Sequence, residues 1–391
     1  IGEFNSHYVG GVAHELGHAL GLPHDREQEA DHARGTSLMG GGNHTYGQEL
    51  RQEGLGTFLS PASAMPLASC RTFAGKREDA ARPPACTLED FDTDCQQGKI
   101  ILSGALHAEP PAYGIVAYND DQSIPADYDA VGWVCKVGKD GRFRLEIGEL
   151  RPGKFQLRLR VCHVNGPSSV FDYDYAVDRQ RQPDLNAIRS KFLLDEALRA
   201  YAKQDRQRVD ALAVEAKRRF PDLTQIHRKV SHLAALLNPL PPRNLQDVPT
   251  GQKMVPVSGL KFLSESVGWG RPLRDQVWTE PPGDCLIQVA GRFYEAGLFA
   301  HAPSRYVLEL NGPAKRFRSG YGLQDRHDGS VVFIVSADGQ ERFRSPLVKD
   351  HVRRSLDIDV RGVKRLELSV KDGGDGATND WGVWIEPCLE R

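Results

Sequence analysis

His14-Glu15-Leu16-Gly17-His18-Ala19-Leu20-Gly21-Leu22-Pro23-His24-Asp25 puts three imidazoles and a carboxylate into one short stretch of chain. His14 and His18 are one helical turn apart, so their rings leave the same face of a helix and can converge on one ion. Glu15 sits beside the pair, where a carboxylate can take a proton from water. Gly21 can adopt the left-handed conformation that ends a helix, turning the chain back to deliver His24 as a third ligand. Three protein ligands leave the fourth position of a tetrahedral zinc open, as in catalytic rather than structural sites. Val12, Leu16, Ala19 and Leu20 supply an apolar stripe for packing, so a core helix would not need the histidines.

This H-E-x-x-H-x-x-G-x-x-H pattern, with Ser37-Leu38-Met39-Gly40 downstream, resembles the metzincin zinc metalloproteases and their Met-turn. The resemblance implies Zn2+ held by His14, His18 and His24, and peptide-bond hydrolysis in which Glu15 is first base and then proton donor to the leaving amine. It also implies Met39 as a hydrophobic floor beneath the metal and Asp25 as an orienting residue. Tyr46 follows Met39 at a greater distance than the tyrosine of astacin-like members does. Two roles stand for it: oxyanion stabiliser, or loop tyrosine anchoring the Gly40-Gly41-Gly42 turn. His7, His32 and His44 read as exposed loop histidines. Few residues precede His14, whereas a metzincin domain carries a sheet, with a substrate-aligning edge strand, before its active-site helix. Residues 1–75 are therefore expected to be the C-terminal part of such a domain, and cleavage by this chain alone is left open. A signal peptide is not visible in the chain.

The chain has 391 residues, 26% charged and 40% hydrophobic, with a net charge of -2. Those values bound it as two to four ordinary globular domains and argue against nucleic acid as the main partner. No apolar run of about 20 residues is present, so no transmembrane segment is expected. Seven cysteines, at 70, 86, 95, 135, 162, 285 and 388, include no C-x-x-C pair, which removes zinc-ribbon and thioredoxin readings. Cys135 with Cys162, and Cys285 with Cys388, are suggestive disulfide pairs that would suit an exported protein, although sequence does not assign connectivity.

The fold class expected is multidomain and mainly β with α. Residues 76–98, with Lys76-Arg77-Glu78-Asp79 and Pro83-Pro84, read as a linker. Residues 99–180 carry short apolar runs with turn signals between them, including a D-G hairpin turn at Lys139-Asp140-Gly141-Arg142, and suggest an immunoglobulin-like β-sandwich acting as a spacer. Residues 183–240 show apolar spacings of three and four, broken at Pro221-Asp222, and predict a helical connector of two or three helices. Pro239 to Pro249 reads as a proline-rich linker.

The last segment, 250–391, resembles the NPCBM family of carbohydrate-binding modules through Gly297-Leu298-Phe299-Ala300-His301, Phe317-Arg318-Ser319-Gly320-Tyr321-Gly322, Gly329-Ser330-Val331-Val332-Phe333 and the closing Asp380-Trp381-Gly382-Val383-Trp384. Turns at Asn311-Gly312 and Asp338-Gly339 fit a jelly-roll sandwich. Sugar recognition would need exposed rings, for which Trp269, Tyr321 and Trp381 are candidates, with Trp278 and Tyr294 behind them; each competes with a core role. Asp372-Gly373-Gly374-Asp375-Gly376 with Asp380 offers oxygen ligands for Ca2+, against an ordinary acidic turn.

The reading is a secreted or cell-surface bacterial zinc metalloendopeptidase with an appended glycan-binding module, taking protein or glycoprotein substrates. A non-catalytic carbohydrate-binding or adhesion protein with a remnant zinc site is the alternative. A glycoside hydrolase stands third, because no paired-carboxylate motif is evident.

Overall fold

The computed structural model describes residues 2–74, 82–124, 128–280, 283–311 and 314–391. The chain forms two compact units, 1–192 and 193–391.

The first unit begins with helical turns at Gly2–Phe4 and Asn5–Val9 that lead into α1, Gly10–Ala19. Gly21, at φ 83°, ends this helix. The amide of Gly21 donates to the His18 carbonyl at 2.8 Å and that of Leu22 to Gly17 at 3.0 Å, the paired bonds of a Schellman cap. One outer face of this helical stretch stays uncovered: Phe4, Tyr8, Val12 and Leu16 are 59%, 64%, 70% and 56% exposed. The apolar stripe expected to pack through Val12, Leu16 and Ala19 therefore faces solvent. What α1 buries is the other side, at Gly10, His14 and Gly17.

Two short parallel strands, β1 (Thr36–Ser37) and β2 (Thr57–Phe58), follow. Helix α2, Pro61–Ala68, starts with proline in its first turn and is capped by Ser60 Oγ, which accepts the Ser63 amide at 3.0 Å. Ala62 of this helix is fully buried with Val116, Tyr118, Ala130 and Cys162, and a side chain at Gly132 would collide with it. The segment that carries the histidines thus packs directly on a β-sandwich.

That sandwich has seven strands: β3 (Ala85–Gln96), β4 (Lys99–Glu109), β5 (Ala112–Asp121), β6 (Val131–Lys136), β7 (Arg142–Ile147), β8 (Gly153–His163) and β9 (Ser168–Val177). They form antiparallel sheets β3-β4-β7 and β6-β5-β8-β9. Alternate residues close a core that includes Leu102, Ile115, Phe143, Leu145, Leu157, Leu159 and Tyr173.

Three further sequence expectations are corrected in this unit. The expected linker 76–98 contains β3; its charged group 76–79 lies outside the described residues. Leu88 and Phe91 both point inward although three residues apart, because the register shifts between Glu89 and Asp92, so the period of two is broken. The turn at Asp140-Gly141 is real, with Gly141 at φ 79°, but it is not a hairpin: β6 pairs with β5 and β7 with β4, so the chain crosses from one sheet to the other. Cys135 and Cys162 are not bonded. They lie on β6 and β8, the two neighbours of β5, about two strand spacings apart, beyond disulfide reach.

Helix α3, Leu185–Ala202, buries Ile188 and Phe192 in the sandwich core of the first unit. The second unit contains α4 (Arg206–Arg219) and α5 (Thr224–Leu236). Asp205 caps α4 by accepting the Arg208 amide at 3.0 Å, and Pro221-Asp222 lies in the break before α5. Val209, Leu212, Ala216, Phe220, Val230 and Leu233 share a core with Cys285, Leu286 and Phe293, so these helices belong to the C-terminal unit rather than forming a connector.

Strands β10 (Met254–Pro256), β11 (Ser264–Ser266), β12 (Ile287–Val289), β13 (Arg292–Tyr294), β14 (Gly297–His301), β15 (Ser304–Glu309), β16 (Arg316–Leu323), β17 (Val331–Ala337), β18 (Gln340–Arg344), β19 (Arg354–Asp359), β20 (Arg365–Asp372) and β21 (Trp381–Glu390) build the rest. One sheet runs β10-β21-β16-β19 with β14 also on β21, and the other β11-β15-β20-β17-β18. Leu245 and Val248, in the stretch read as a proline-rich linker, are buried in the core between them. Asp338-Gly339 forms the β17–β18 hairpin turn, both residues at positive φ. The Asn311-Gly312 turn lies partly outside the described residues. Cys285 is buried and Cys388 partly exposed, and neither is bonded.

No helix among the described residues is long and apolar enough to cross a membrane.

Candidate metal centre and aromatic pocket

The helix and its cap bring His14, His18 and His24 together, with one ring nitrogen from each within 4.8 Å of the others. Nε2 of His18 lies 3.1 Å from Nε2 of His14 and 3.1 Å from Nε2 of His24. Tetrahedral bonds of about 2.0–2.1 Å to zinc separate ligand nitrogens by about 3.3 Å, close to the separation of these two pairs.

Backbone carbonyls orient two of the rings. Nδ1 of His14 lies 2.7 Å from the Leu38 carbonyl, in the turn at Ser37-Gly40, and Nδ1 of His18 lies 2.9 Å from that of Leu22, in the helix cap. Donation from Nδ1–H leaves the Nε2 lone pair available for a metal. The Schellman cap and the turn at Ser37-Gly40 thus act on ring orientation as well as chain path.

Met39 is fully buried, and its Sδ lies against Gly17, on the helix face that also carries His14 and His18. Asp25, directly after the third histidine, is held by a cluster of serines. Its fully buried carboxylate accepts from Ser63 Oγ at 2.6 Å, from Ser60 Oγ and, more distantly, from Ser37 Oγ at 3.5 Å. It therefore ties the chain after His24 to the turn at Ser37-Gly40 and to α2. Burial pushes its pKa up to about 6, against the lowering effect of the serine hydroxyls. Glu15 is exposed, next to His14 on α1.

Tyr46 is not brought into the histidine group. It packs across Gly10 at the start of α1, and its carbonyl accepts from Ser6 Oγ at 3.0 Å and Arg51 at 3.2 Å. His7, His32 and His44, read as loop histidines, are exposed and all lie on helical turns, the rings of His7 and His44 5.1 Å apart. Sequence reasoning missed Tyr128, whose ring stacks on His24 with centroids 3.7 Å apart. It lies between β5 and β6, in a loop with no periodic signal.

In the second unit, Trp269, Trp278, Trp381 and His327 line a cavity of about 260 Å3 together with Glu280 and Asp284. Glycine makes the close approaches. The Gly268 backbone lies against the Ala302 carbonyl, and the Trp278 ring covers Gly270, leaving Trp269 between them 58% exposed. His327 stacks on Trp381 at 3.9 Å, with only 10° between the planes. Burial, with His301 and His351 nearby, holds the His327 pKa below its ordinary value.

Tyr321 does not join this cavity. It is 4% exposed and packs on Phe333 and Phe343 in the sandwich core, and Tyr294 is likewise buried. Two of the acidic residues considered for Ca2+ meet at Ser330. Asp372 accepts the Gly374 amide at 2.7 Å, Asp375 accepts Ser330 Oγ at 2.5 Å, and Asp380 accepts the Ser330 amide at 2.8 Å. Among the described residues, the three histidines are the one group of three or more such side chains with ligand atoms this close.

Residues 253–390 match the NPCBM/NEW2 domain family. The C-terminal unit thus carries an NPCBM-type carbohydrate-binding module, and the aromatic cavity lies within the matched span. A solved module of the CBM51 type from Clostridium perfringens GH95, in complex with methyl-galactose, is 27% identical, with 35% of this chain and 99% of that chain covered and a TM-score of 0.32. Catalytically inactive OgpA from Akkermansia muciniphila, in complex with an O-glycopeptide substrate, is 27% identical at a TM-score of 0.39; the match spans 45% of this chain and about half, 51%, of that chain. The M60 catalytic domain with two CBM51 domains of Clostridium perfringens ZmpB is 17% identical, covering 81% of this chain and 32% of that one at a TM-score of 0.32. No curated protein matches the chain.

Proposed function

We propose that this protein is a zinc-dependent metalloendopeptidase acting on glycan-associated proteins outside the cell, with its C-terminal module holding it at a glycan-bearing surface. The observation that carries the protease reading is the convergence of the three Nε2 atoms, two of them with Nδ1 engaged by backbone carbonyls. His14, His18 and His24 would hold the ion. A bound Zn2+ would supply Lewis acidity, polarising a substrate carbonyl and making water ionisable near neutral pH.

The remaining roles belong to side chains of this chain. Glu15, exposed beside the ligands, takes a proton from the attacking water and delivers it to the leaving amine. Asp25 and its serines keep the chain after His24 fixed to the Met-turn, so the third imidazole is presented without reorganisation. In the module, Trp269 offers a flat face for a sugar ring beside the stacked His327–Trp381 pair, and Glu280 and Asp284 offer acceptors for its hydroxyls. Tethering to glycan raises the local concentration of protein substrate by the logic of linked binding modules.

Cleavage of casein and of an O-glycopeptide by the wild-type chain, with and without chelator and beside a Glu15→Gln variant, tests the reading. Chelator-sensitive cleavage abolished in the variant is the expected result. Equal inactivity of both proteins, with glycan binding intact, would establish a non-catalytic carbohydrate-binding protein instead.

A further inference from the structure

One aromatic ring beside the histidines has no part in that mechanism. Tyr128 stands between β5 and β6, far along the chain from His24, yet its ring lies on the His24 imidazole with centroids 3.7 Å apart and planes 25° apart. It is also nearly parallel to the His14 ring, at 8°, with centroids 6.4 Å apart. We propose that Tyr128 is a positioning residue of the metal centre: its ring holds the His24 imidazole so that Nε2 meets those of His14 and His18. This inference rests on the zinc reading above.

The loop that carries Tyr128 is fastened to the segment that carries His24. Immediately after the third histidine and its aspartate, the Arg26 amide donates to the Ala130 carbonyl at 2.8 Å, and Arg26 forms a parallel bridge with Val131. The Arg26 guanidinium pairs with Asp129 at 3.1 Å, and Arg151 also pairs with Asp129. Gln28 Nε2 donates to the Gly132 carbonyl at 2.6 Å. The residues on either side of the stack are thus fixed relative to each other by backbone bonds, which makes the ring contact a built feature of the fold.

The ligands arrive by different routes. His14 and His18 leave a rigid helix, whereas His24 lies beyond the cap, where a loop side chain has more rotamer freedom to lose on ordering. A flat ring on one face of the imidazole restricts that freedom. Tyr128 is 51% exposed, so the contact contributes little to the core and its effect concentrates on His24. A metal-bound imidazole carries positive charge, which the electron-rich face of tyrosine attracts as it does other cations. The sandwich read from sequence as a spacer would then supply part of the metal centre.

The test measures zinc affinity of the full chain by competition with a chromogenic chelator, for wild type and for Tyr128→Ala, Tyr128→Leu and Tyr128→Phe. Visible spectra of the Co2+-substituted proteins report ligand geometry independently of activity. An aromatic pair of this kind corresponds to binding about two- to tenfold weaker in the alanine and leucine variants. Their Co2+ bands are expected to shift, with thermal unfolding of the metal-free proteins unchanged and Tyr128→Phe restoring wild-type behaviour. Wild-type affinity and spectrum in Tyr128→Ala, or an equal loss in Tyr128→Phe, would overturn the inference while leaving the zinc reading intact. Failure of the wild-type chain to take up zinc would overturn both.

Discussion

Sδ of Met39 occupies the space that a side chain on Gly17 would need: a Cβ built there would stand 2.3 Å from the sulfur. Gly17 shares its helix face with His14 and His18, so the methionine underlies the face from which two ligands leave. Gly17→Ala sets two effects against each other. Alanine favours helix over glycine by about 1 kcal/mol, whereas overpacking an enclosed site costs about 1–3 kcal/mol. Met39 is fully buried and has little room to yield, so overpacking is expected to win. Gly17→Ala should lower the Tm of the first unit and weaken zinc binding. Combining it with Met39→Ala should cost less than the sum of the two single changes, as a double-mutant cycle followed by thermal unfolding would show.

The aromatic cavity separates two residues that sequence placed side by side. Trp269→Ala removes an exposed ring from the cavity wall and is expected to weaken glycan binding by about tenfold or more, with the Tm nearly unchanged. Tyr321→Ala should do the reverse, lowering the Tm through a core cavity at a cost of about 3 kcal/mol or more, because Tyr321 packs on Phe333 and Phe343. Tyr321→Phe keeps that packing and should leave both readings close to wild type. Affinity electrophoresis on immobilised glycans, paired with calorimetry, distinguishes the two residues.

Asp380 gives the second unit a pH signature. Its carboxylate is fully buried, Oδ2 has no hydrogen-bond partner among the described residues, and burial pushes its pKa up to about 6 from 3.8. A folded-state pKa above the unfolded value means that the folded protein holds the proton more tightly. Its contribution to stability is full below about pH 4 and is lost as pH rises through 6. Asp380→Asn, which cannot ionise, should flatten that part of the profile, so the Tm of the variant relative to wild type should rise between pH 4 and 7. A difference in Tm that does not change over this range would contradict the assignment.

How much of this was legible beforehand follows from the range of the interactions involved. His14, His18, Gly21, His24 and Met39 were readable because helix periodicity, a glycine cap and a short turn act within a few residues of one another. The three helices between 185 and 236 showed for the same reason. Strand β3 did not, because a register shift places Leu88 and Phe91 on one face and its outer residues are acidic. The D-G turn at 140–141 was visible, but which strands it joined depends on pairing with β4 and β5, far away in sequence. Tyr128 and His327 were out of reach altogether, since only the folded loops bring them onto His24 and Trp381. Tyr321 and Trp381 looked equivalent in sequence; the pleat of the sheet turns one into the core and leaves the other at the cavity.

The central claim is that three imidazole nitrogens hold one zinc ion, and elemental analysis of the purified full chain after dialysis tests it most directly. About one zinc per chain is expected for such a site. A His14→Ala/His18→Ala double variant should carry close to none while still binding glycan through its C-terminal module. No zinc in the wild-type chain after incubation with the metal, or equal zinc in the double variant, would contradict the account.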